Sequence, residues 1–441
     1  MTATREKGSG PFCAKHPEGR CGKRVLTPFL ALAAAGALVL GALAAPAGGA
    51  EEKKPEKAKD APKWAPAVKP KELSANVKKG LGWLAAGQLE SGAWTQGEES
   101  AQMGASKLDK PSVADTCVAA LALLRSGSSP KEGDYAKHLK KAVEFVCSEI
   151  EKSKENSLFV TEVRGTRVQL KIGTYIDTFM ACMLLSEVKG RMADEQGETR
   201  LTEALNKVIR KMSENQREDG TWGDQGWAPT VGQSMGTRGL NRAKQAGAAV
   251  PEPALARAEG QARKQFDSAS GKFAAGPGDA GVALYGGASS LGGMRDSDNT
   301  NRLKEDQARE VLKTSKNADE LKAATRTVAA IETNRQQLQA AEKVIVAKLD
   351  DKQFMAGFGN NGGEEFLSHL SIGESLVVRG GADWQKWDKA MTENMNHVQN
   401  QDGSWTGHHC ITGRTFCTSA ALLVLMVDRA PVPVTGEMKR R

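Results

Sequence analysis

Aromatic residues are scarce, with 8 Trp, 11 Phe and 3 Tyr among 441 residues, so a cavity walled with aromatic rings is hard to build. Excess charge is scarce too. The formal net charge is +8, and half of it lies within residues 1–50, where Arg5, Lys7, Lys15, Arg20, Lys23 and Arg24 face only Glu6 and Glu18. The rest of the chain shows no basic stripe with interleaved aromatics, so nucleic acid is not expected as a partner. No Walker loop, Ser-His-Asp order or dinucleotide-type Gly-rich turn is placed where its chemistry would need it. What is present, 39% hydrophobic and 26% charged residues, is the composition of a globular protein.

One long apolar run stands out. Val25 to Ala50 is 26 residues without a charge, preceded by Lys23-Arg24 and followed by Glu51-Glu52. Small residues at Ala42, Ala44, Ala45, Ala47 and Ala50 offer signal-peptidase sites. A basic leader of 24 residues suits instead a retained helix with its N-terminus inside. Both readings place the remainder of the chain outside the cytoplasm, in the cell envelope, either periplasmic or anchored, with a membrane contact through residues 25–50 if the segment is uncleaved. The expected organisation is therefore a basic cytoplasmic leader (1–24), a signal peptide or transmembrane anchor (25–50), a Lys/Pro/Ala-rich linker (51–72), a folded body (73–430) and a basic tail (431–441).

Seven cysteines are divided by the apolar run: Cys13 and Cys21 before it, Cys117, Cys147, Cys182, Cys410 and Cys417 after it. In an oxidising compartment Cys410 and Cys417, near in sequence, are the expected disulfide. Cys13, His16 and Cys21 have zinc-ligand character, but three donors do not close a tetrahedral site.

The body carries an internal repeat. Gln-x-x-x-Gly-x-Trp occurs at Gln88, Gly92, Trp94; at Gln216, Gly220, Trp222; and at Gln399, Gly403, Trp405, where composition alone predicts about 0.04 occurrences. The spacing between the tryptophans divides into units of 61 to 64 residues, which makes six units. Each reads as an amphipathic helix, a Gly-containing turn and an apolar helix. Runs from Asp115, Asp177, Asp279 and Thr415 are apolar nearly all round, as buried inner helices must be. The predicted fold is all-α: an (α/α)6 toroid of six helical hairpins behind the N-terminal signal or anchor helix. Residues 300–350, richer in charge and alanine, place Leu321, Ala324, Val328, Ile331, Leu338 and Ile345 on one stripe. This predicts a lengthened outer helix pair of unit 5, with a coiled-coil partner as the alternative. The glycines between Gly276 and Gly293 mark a closely approached or mobile inner element.

The segments "QREDGTWGDQGW" and "QNQDGSWTGHHCITGRTFCTSAALLVLMV" resemble the repeat family shared by prenyltransferases and squalene-hopene-type cyclases. The likeness covers roughly Leu73 to Asp428, with units 1, 3 and 6 well matched and units 2, 4 and 5 degenerate. It implies the toroid and is unspecific for activity. The motif also makes sense without chemistry: Gln bonds neighbouring backbone, Gly supplies a turn with φ > 0, and Trp plugs adjacent hairpins.

In a toroid the loops entering the inner helices converge on one end, so Asp115, Asp177, Asp279, Glu374 and Thr415 are expected to ring its mouth. The four acids are the candidate catalytic groups; each serves equally well as a helix N-cap. The loop of His408, His409, Cys410, Arg414 and Cys417 is the densest polar constellation, and His408, His409, Arg414 and Thr415 are the candidate ligand-binding residues. Zinc is the one candidate cofactor, with Asp115, Cys117, His408 and His409 as its candidate ligands. Asp115-Thr116-Cys117 matches the Asp-x-Cys spacing of protein prenyltransferases, but in the first unit. The Asp-x-Asp-Asp of squalene-hopene-type cyclases and the Gly-Cys-Gly-Glu-Gln of complement-type thioester domains, which share the toroid, are both missing.

The functional expectation is an envelope protein binding an extended or apolar ligand, or an envelope protein partner, at the barrel mouth without cyclase chemistry. The alternative is an enzyme: an isoprenoid transferase or terpene-cyclase-like enzyme of altered mechanism, or a glycan-active one.

Overall fold

A chain with this density of alanine and leucine in three-to-four spacing folds as helices, and the computed structural model is helical almost throughout. It describes residues 64–104, 107–223, 226–274, 281–431 and 436–438. The leader with Cys13, His16 and Cys21, the apolar run and Asp279 lie outside the described residues. Among the described helices none is long and apolar enough to cross a membrane.

The major helices in chain order are α1 (Ala75–Ala86), α2 (Val113–Arg125), α3 (Ala136–Lys152), the short α4 (Arg167–Ile172), α5 (Ile176–Val188), α6 (Glu195–Glu214), α7 (Pro229–Gln245), α8 (Glu252–Lys264), α9 (Ala283–Thr314), α10 (Ala318–Ala347), the short α11 (Lys352–Ala356), α12 (Gly363–Val377), α13 (Gly381–His397) and α14 (Arg414–Leu425). Six of them, α2, α5, α7, α9, α12 and α14, are buried along most of their length or, for α9, along its first half. Each of these packs on the next, and α14 packs back on α2, so the series closes. The partners α1, α3, α6, α8, α10 and α13 bury one stripe only. Helix α6, for example, turns Leu201, Leu205, Val208 and Met212 inward and leaves its acids and most of its basic residues wet.

Several helix starts are set by side-chain caps. Ser74 accepts from the Val77 N–H, Asp194 from Gly197, Asn317 from Asp319, and Thr166 with Gln169 forms a capping box on α4.

The tryptophan motif does the same job three times. Trp94, Trp222 and Trp405 each donate their indole N–H over 2.8 Å to the carbonyl ten residues earlier, Leu84, Met212 and Met395. Gln88, Gln216 and Gln399 each bridge the carbonyl of their own motif glycine and a carbonyl of the next outer helix: His138 on α3, Ala254 on α8 and Asn76 on α1. The third instance joins the end of the chain to its beginning. The glycines lie at φ +87°, +90° and +98°, and an added Cβ at Gly220 would sit 2.2 Å from the Arg257 carbonyl oxygen. Only glycine meets both demands.

Three expectations are revised or narrowed. Residues 300–314 are not an outer helix but the continuation of inner helix α9, and α10 alone lies outside it; Ala324, Ile331, Leu338 and Ile345 are the stripe it buries. The glycines Gly287, Gly292 and Gly293 mark close approach, to Ile345, Ser371 and Ala262. Residues 64–66 (β1, Trp64–Pro66) do not end in a free linker; they pair antiparallel with β4 (Gly436–Met438), the small β2 (Phe266–Asp267) and β3 (Lys272–Phe273) being a separate hairpin. Lys71 adds a backbone N–H to Asp428 and an ion pair to Asp388.

Candidate functional site

The starts of the buried helices meet at one end. Asp177, in the first turn of α5, accepts from the Ala114 N–H of α2 at 2.9 Å and from Gln169 of α4 at 2.7 Å. The α2 cap is Ser112, whose hydroxyl donates to Asp115. Thus Asp177 caps a neighbouring helix, and Asp115 sits in the first turn behind its own cap. Burial pushes the Asp115 carboxyl up to about 7, the Ser112 hydroxyl opposing this and the Asp177 charge adding to it. Burial raises Asp177 as well. Asp115 Oδ1 has no hydrogen-bond partner among the described residues.

A second cluster lies at the start of α12. Gly362-Gly363 lead directly into Glu364 and Glu365, both fully buried. Tyr285 of α9 donates its hydroxyl to Glu365 Oε1, which also accepts from the Phe358 N–H at 3.0 Å. Glu364 Oε2 accepts from Ile411 N–H at 3.4 Å. His409 Nε2 is 3.3 Å from Glu365 Oε2, and the ring stands edge-on to Phe358. Burial, then the neighbouring Glu365 charge, pushes Glu364 up to about 8; burial lowers the His409 imidazole, with the Glu365 charge acting the other way. Around this cluster stand the half-buried Trp227 and the exposed Leu170 and Phe358, with the Trp227 and Phe358 rings 5.1 Å apart and Lys171 over the Trp227 face.

At the opposite ends of the same helices the interior is ionic. Arg125 closes α2, and with Arg238 and Arg242 of α7 it faces Glu187 of α5, Asp296 of α9 and Glu374 of α12. Three guanidinium groups meet three carboxylates from five helices, all nearly inaccessible to solvent. The charges balance, as burial requires. Burial alone would raise Glu187, but Arg125 and Arg242 hold it below the usual carboxylate range. Burial likewise pulls Arg238 down to about 10.

Of the residues predicted from sequence, Asp115, Asp177 and Thr415 lie in the first turns of the buried helices α2, α5 and α14, and His409 belongs to the second cluster. Glu374 does not. Helix α12 begins at Gly363 rather than at Glu374, which puts Glu374 three turns in, among the arginines. Arg414 is tied to Asp402 and Glu99 and lies over the Trp83 ring, and His408 is exposed, its backbone N–H donated to the Asn361 carbonyl at 2.6 Å. Cys410 and Cys417 are free thiols rather than the expected disulfide: Cys417 donates to the Ile411 carbonyl at 3.2 Å, and the Cys410 carbonyl accepts from Arg167. One group of three metal-binding side chains is found among the described residues, Glu364, Glu365 and His409, their donor atoms within 4.8 Å of one another. Asp115, Cys117 and His408 are not in it; Cys117 is buried, which pushes its thiol well up and away from the thiolate a metal needs. Glu364, Glu365, Tyr285 and the ionic residues other than Glu374 escaped sequence reasoning. A buried-helix pattern over "GEEFLSHLSIGESLVV" would have shown the first two.

No known protein family matches the chain, and no curated protein does. Among solved structures, the matches include a Salmonella alpha-2-macroglobulin reacted with methylamine, at 15% identity and a TM-score of 0.30. That match covers 65% of this chain and 17% of the other.

Proposed function

We propose that residues 73–430 are a six-hairpin α/α toroid of the prenyltransferase and squalene-hopene cyclase repeat type, carried into the cell envelope by the leader, and that its mouth binds an extended ligand or an envelope protein partner without cyclase chemistry. The toroid reading is supported by the closed helix series and by the threefold motif, whose last copy locks the segment after α13 onto α1. The observation that carries the functional reading is the rim: Phe358 is 56% exposed and Leu170 48%, two of four exposed large apolar side chains among the described residues, Phe358 hydrogen-bonded to the buried Glu365 and Leu170 to Trp227, whose ring meets Phe358. Below them the ionic cluster fills the interior, which favours a shallow binding mouth over a deep apolar tunnel for an isoprenoid chain.

A photo-crosslinking residue placed at Phe358 in the full-length protein tests this in cells. A discrete adduct, identified by mass as lipid, glycan or protein, is expected at 358 and not at Leu312, another exposed apolar position on α9. Equal labelling at both sites would overturn the reading.

The enzyme reading draws on Asp115 and Glu364, two carboxyls that burial raises to about 7 and about 8, into the range that suits a general acid. Turnover of farnesyl diphosphate, squalene or a chromogenic glycoside, abolished by Asp115→Asn or Glu364→Gln, would establish it.

A further inference from the structure

The Glu364, Glu365 and His409 cluster leaves several donor atoms without a hydrogen bond, although His409 Nε2 faces Glu365 Oε2 at 3.3 Å. Glu365 spends Oε1 on Tyr285 and Phe358, and its Oε2 has no hydrogen-bond partner among the described residues. Glu364 Oε1 is likewise without one, and so are both ring nitrogens of His409. Both glutamates are fully buried. A buried polar atom without a hydrogen bond is costly, and more so when charged, and here such atoms from three side chains converge within 4.8 Å.

Two glycines let these side chains approach the backbone closely. A Cβ at Gly362 would lie 2.7 Å from Glu365 Oε2 and 2.7 Å from His409 Cε1, and one at Gly359 would lie 2.6 Å from His409 Cδ2. Tyr285 fixes the rotation of the Glu365 carboxylate through Oε1 and leaves Oε2 to the cluster, the arrangement by which outer hydrogen bonds orient a metal ligand. Glu365 and Glu364, the latter giving up its proton to the ion, supply two carboxylates that with a neutral imidazole balance a divalent cation. Lys171 of α4 is a cation whose charge reaches Glu364 and His409, and it lies instead over the Trp227 ring.

We propose that Glu364, Glu365 and His409 form a binding site for a divalent transition-metal ion. Zinc matches one imidazole and two carboxylate oxygens best, with a fourth position left to water or to an anionic group of the ligand. The donor set differs from the Asp, Cys and His of protein prenyltransferases, since no thiolate takes part. Occupancy of this site does not depend on the rim being the binding surface, so a metal titration and the crosslink at 358 fail separately.

The full-length protein, stripped with a chelator, is titrated with Zn²⁺ by calorimetry and native mass spectrometry, with Co²⁺ as a spectroscopic probe. One equivalent of zinc is expected. His409→Ala and Glu365→Gln should each weaken it at least 100-fold, and Tyr285→Phe, which only frees the Glu365 carboxylate to rotate, about 10-fold. Gly362→Ala should block the ion while removing no donor, and His408→Ala should leave affinity unchanged. Thermal unfolding gives an independent readout: zinc should raise the Tm of the unaltered protein and not that of His409→Ala. His409 is partly exposed, so its loss leaves the core packing intact if Glu365→Gln proves unable to fold. Absence of stoichiometric zinc, or equal affinity in His409→Ala and the unaltered protein, would overturn the proposal.

Discussion

Replacing Glu374 by Gln tests whether that residue is part of an ionic core or of a working mouth. The carboxylate lies 2.8 Å from Arg125 and 2.6 Å from Arg242 and also pairs with Arg238, at 3% side-chain exposure. The amide keeps the shape and removes the charge, leaving three buried arginines against Glu187 and Asp296. Uncompensated buried charge of this kind costs about 3–5 kcal/mol. Urea unfolding of the full-length protein, followed by far-ultraviolet circular dichroism, reads that loss as a lowered midpoint. The double variant Glu374→Gln with Arg238→Met restores a balance of two against two, and it should be more stable than the sum of the single variants allows, by about 1 kcal/mol or more. An ionic core is refuted if Glu374→Gln costs under about 1 kcal/mol, or if the double variant shows simple additivity. Crosslinking at 358 should survive the substitution, because Glu374 lies three turns from the start of α12.

Gly220→Ala should destabilise by about 3 kcal/mol, combining left-handed backbone strain at φ +90° with a clash against the Arg257 carbonyl. Gly247→Ala, at φ +80° in open space, should cost only the strain, about 1 kcal/mol; chemical denaturation of the two side by side checks the difference. The folded-state carboxyl of Asp115 is raised from 3.8 to about 7, so its contribution to stability is full in acid and is lost as pH rises towards 7. Asp115→Asn should flatten the fall in stability between about pH 4 and 7 by up to about 1.4 kcal/mol per pH unit, and parallel urea titrations giving equal slopes would refute it.

Helices α2, α5 and α14 were legible because a helix buried on all sides by apolar neighbours writes that fact into its own letters. The motif was legible for a related reason: Gln, Gly and Trp act on backbone atoms, whose identity does not depend on which residues the neighbours are. Helix α7 gave no such signal. "PTVGQSMGTRGLNRAKQ" looks like an exposed polar helix, and it is buried because Arg238 and Arg242 find Glu187, Asp296 and Glu374 on three other helices. Polar burial depends on partners far along the chain, and periodicity carries no information about them. The same holds at the mouth. Acids in the first turn of a helix are expected wherever a helix begins, since the dipole favours them, so Glu364 and Glu365 look ordinary in sequence. What makes them unusual is that Tyr285, Phe358 and the 408–411 loop close over them, and the degenerate fifth repeat, which keeps Gln353 and Gly357 at the motif spacing but has Gly359 where the tryptophan would stand, hid even the place where their helix starts.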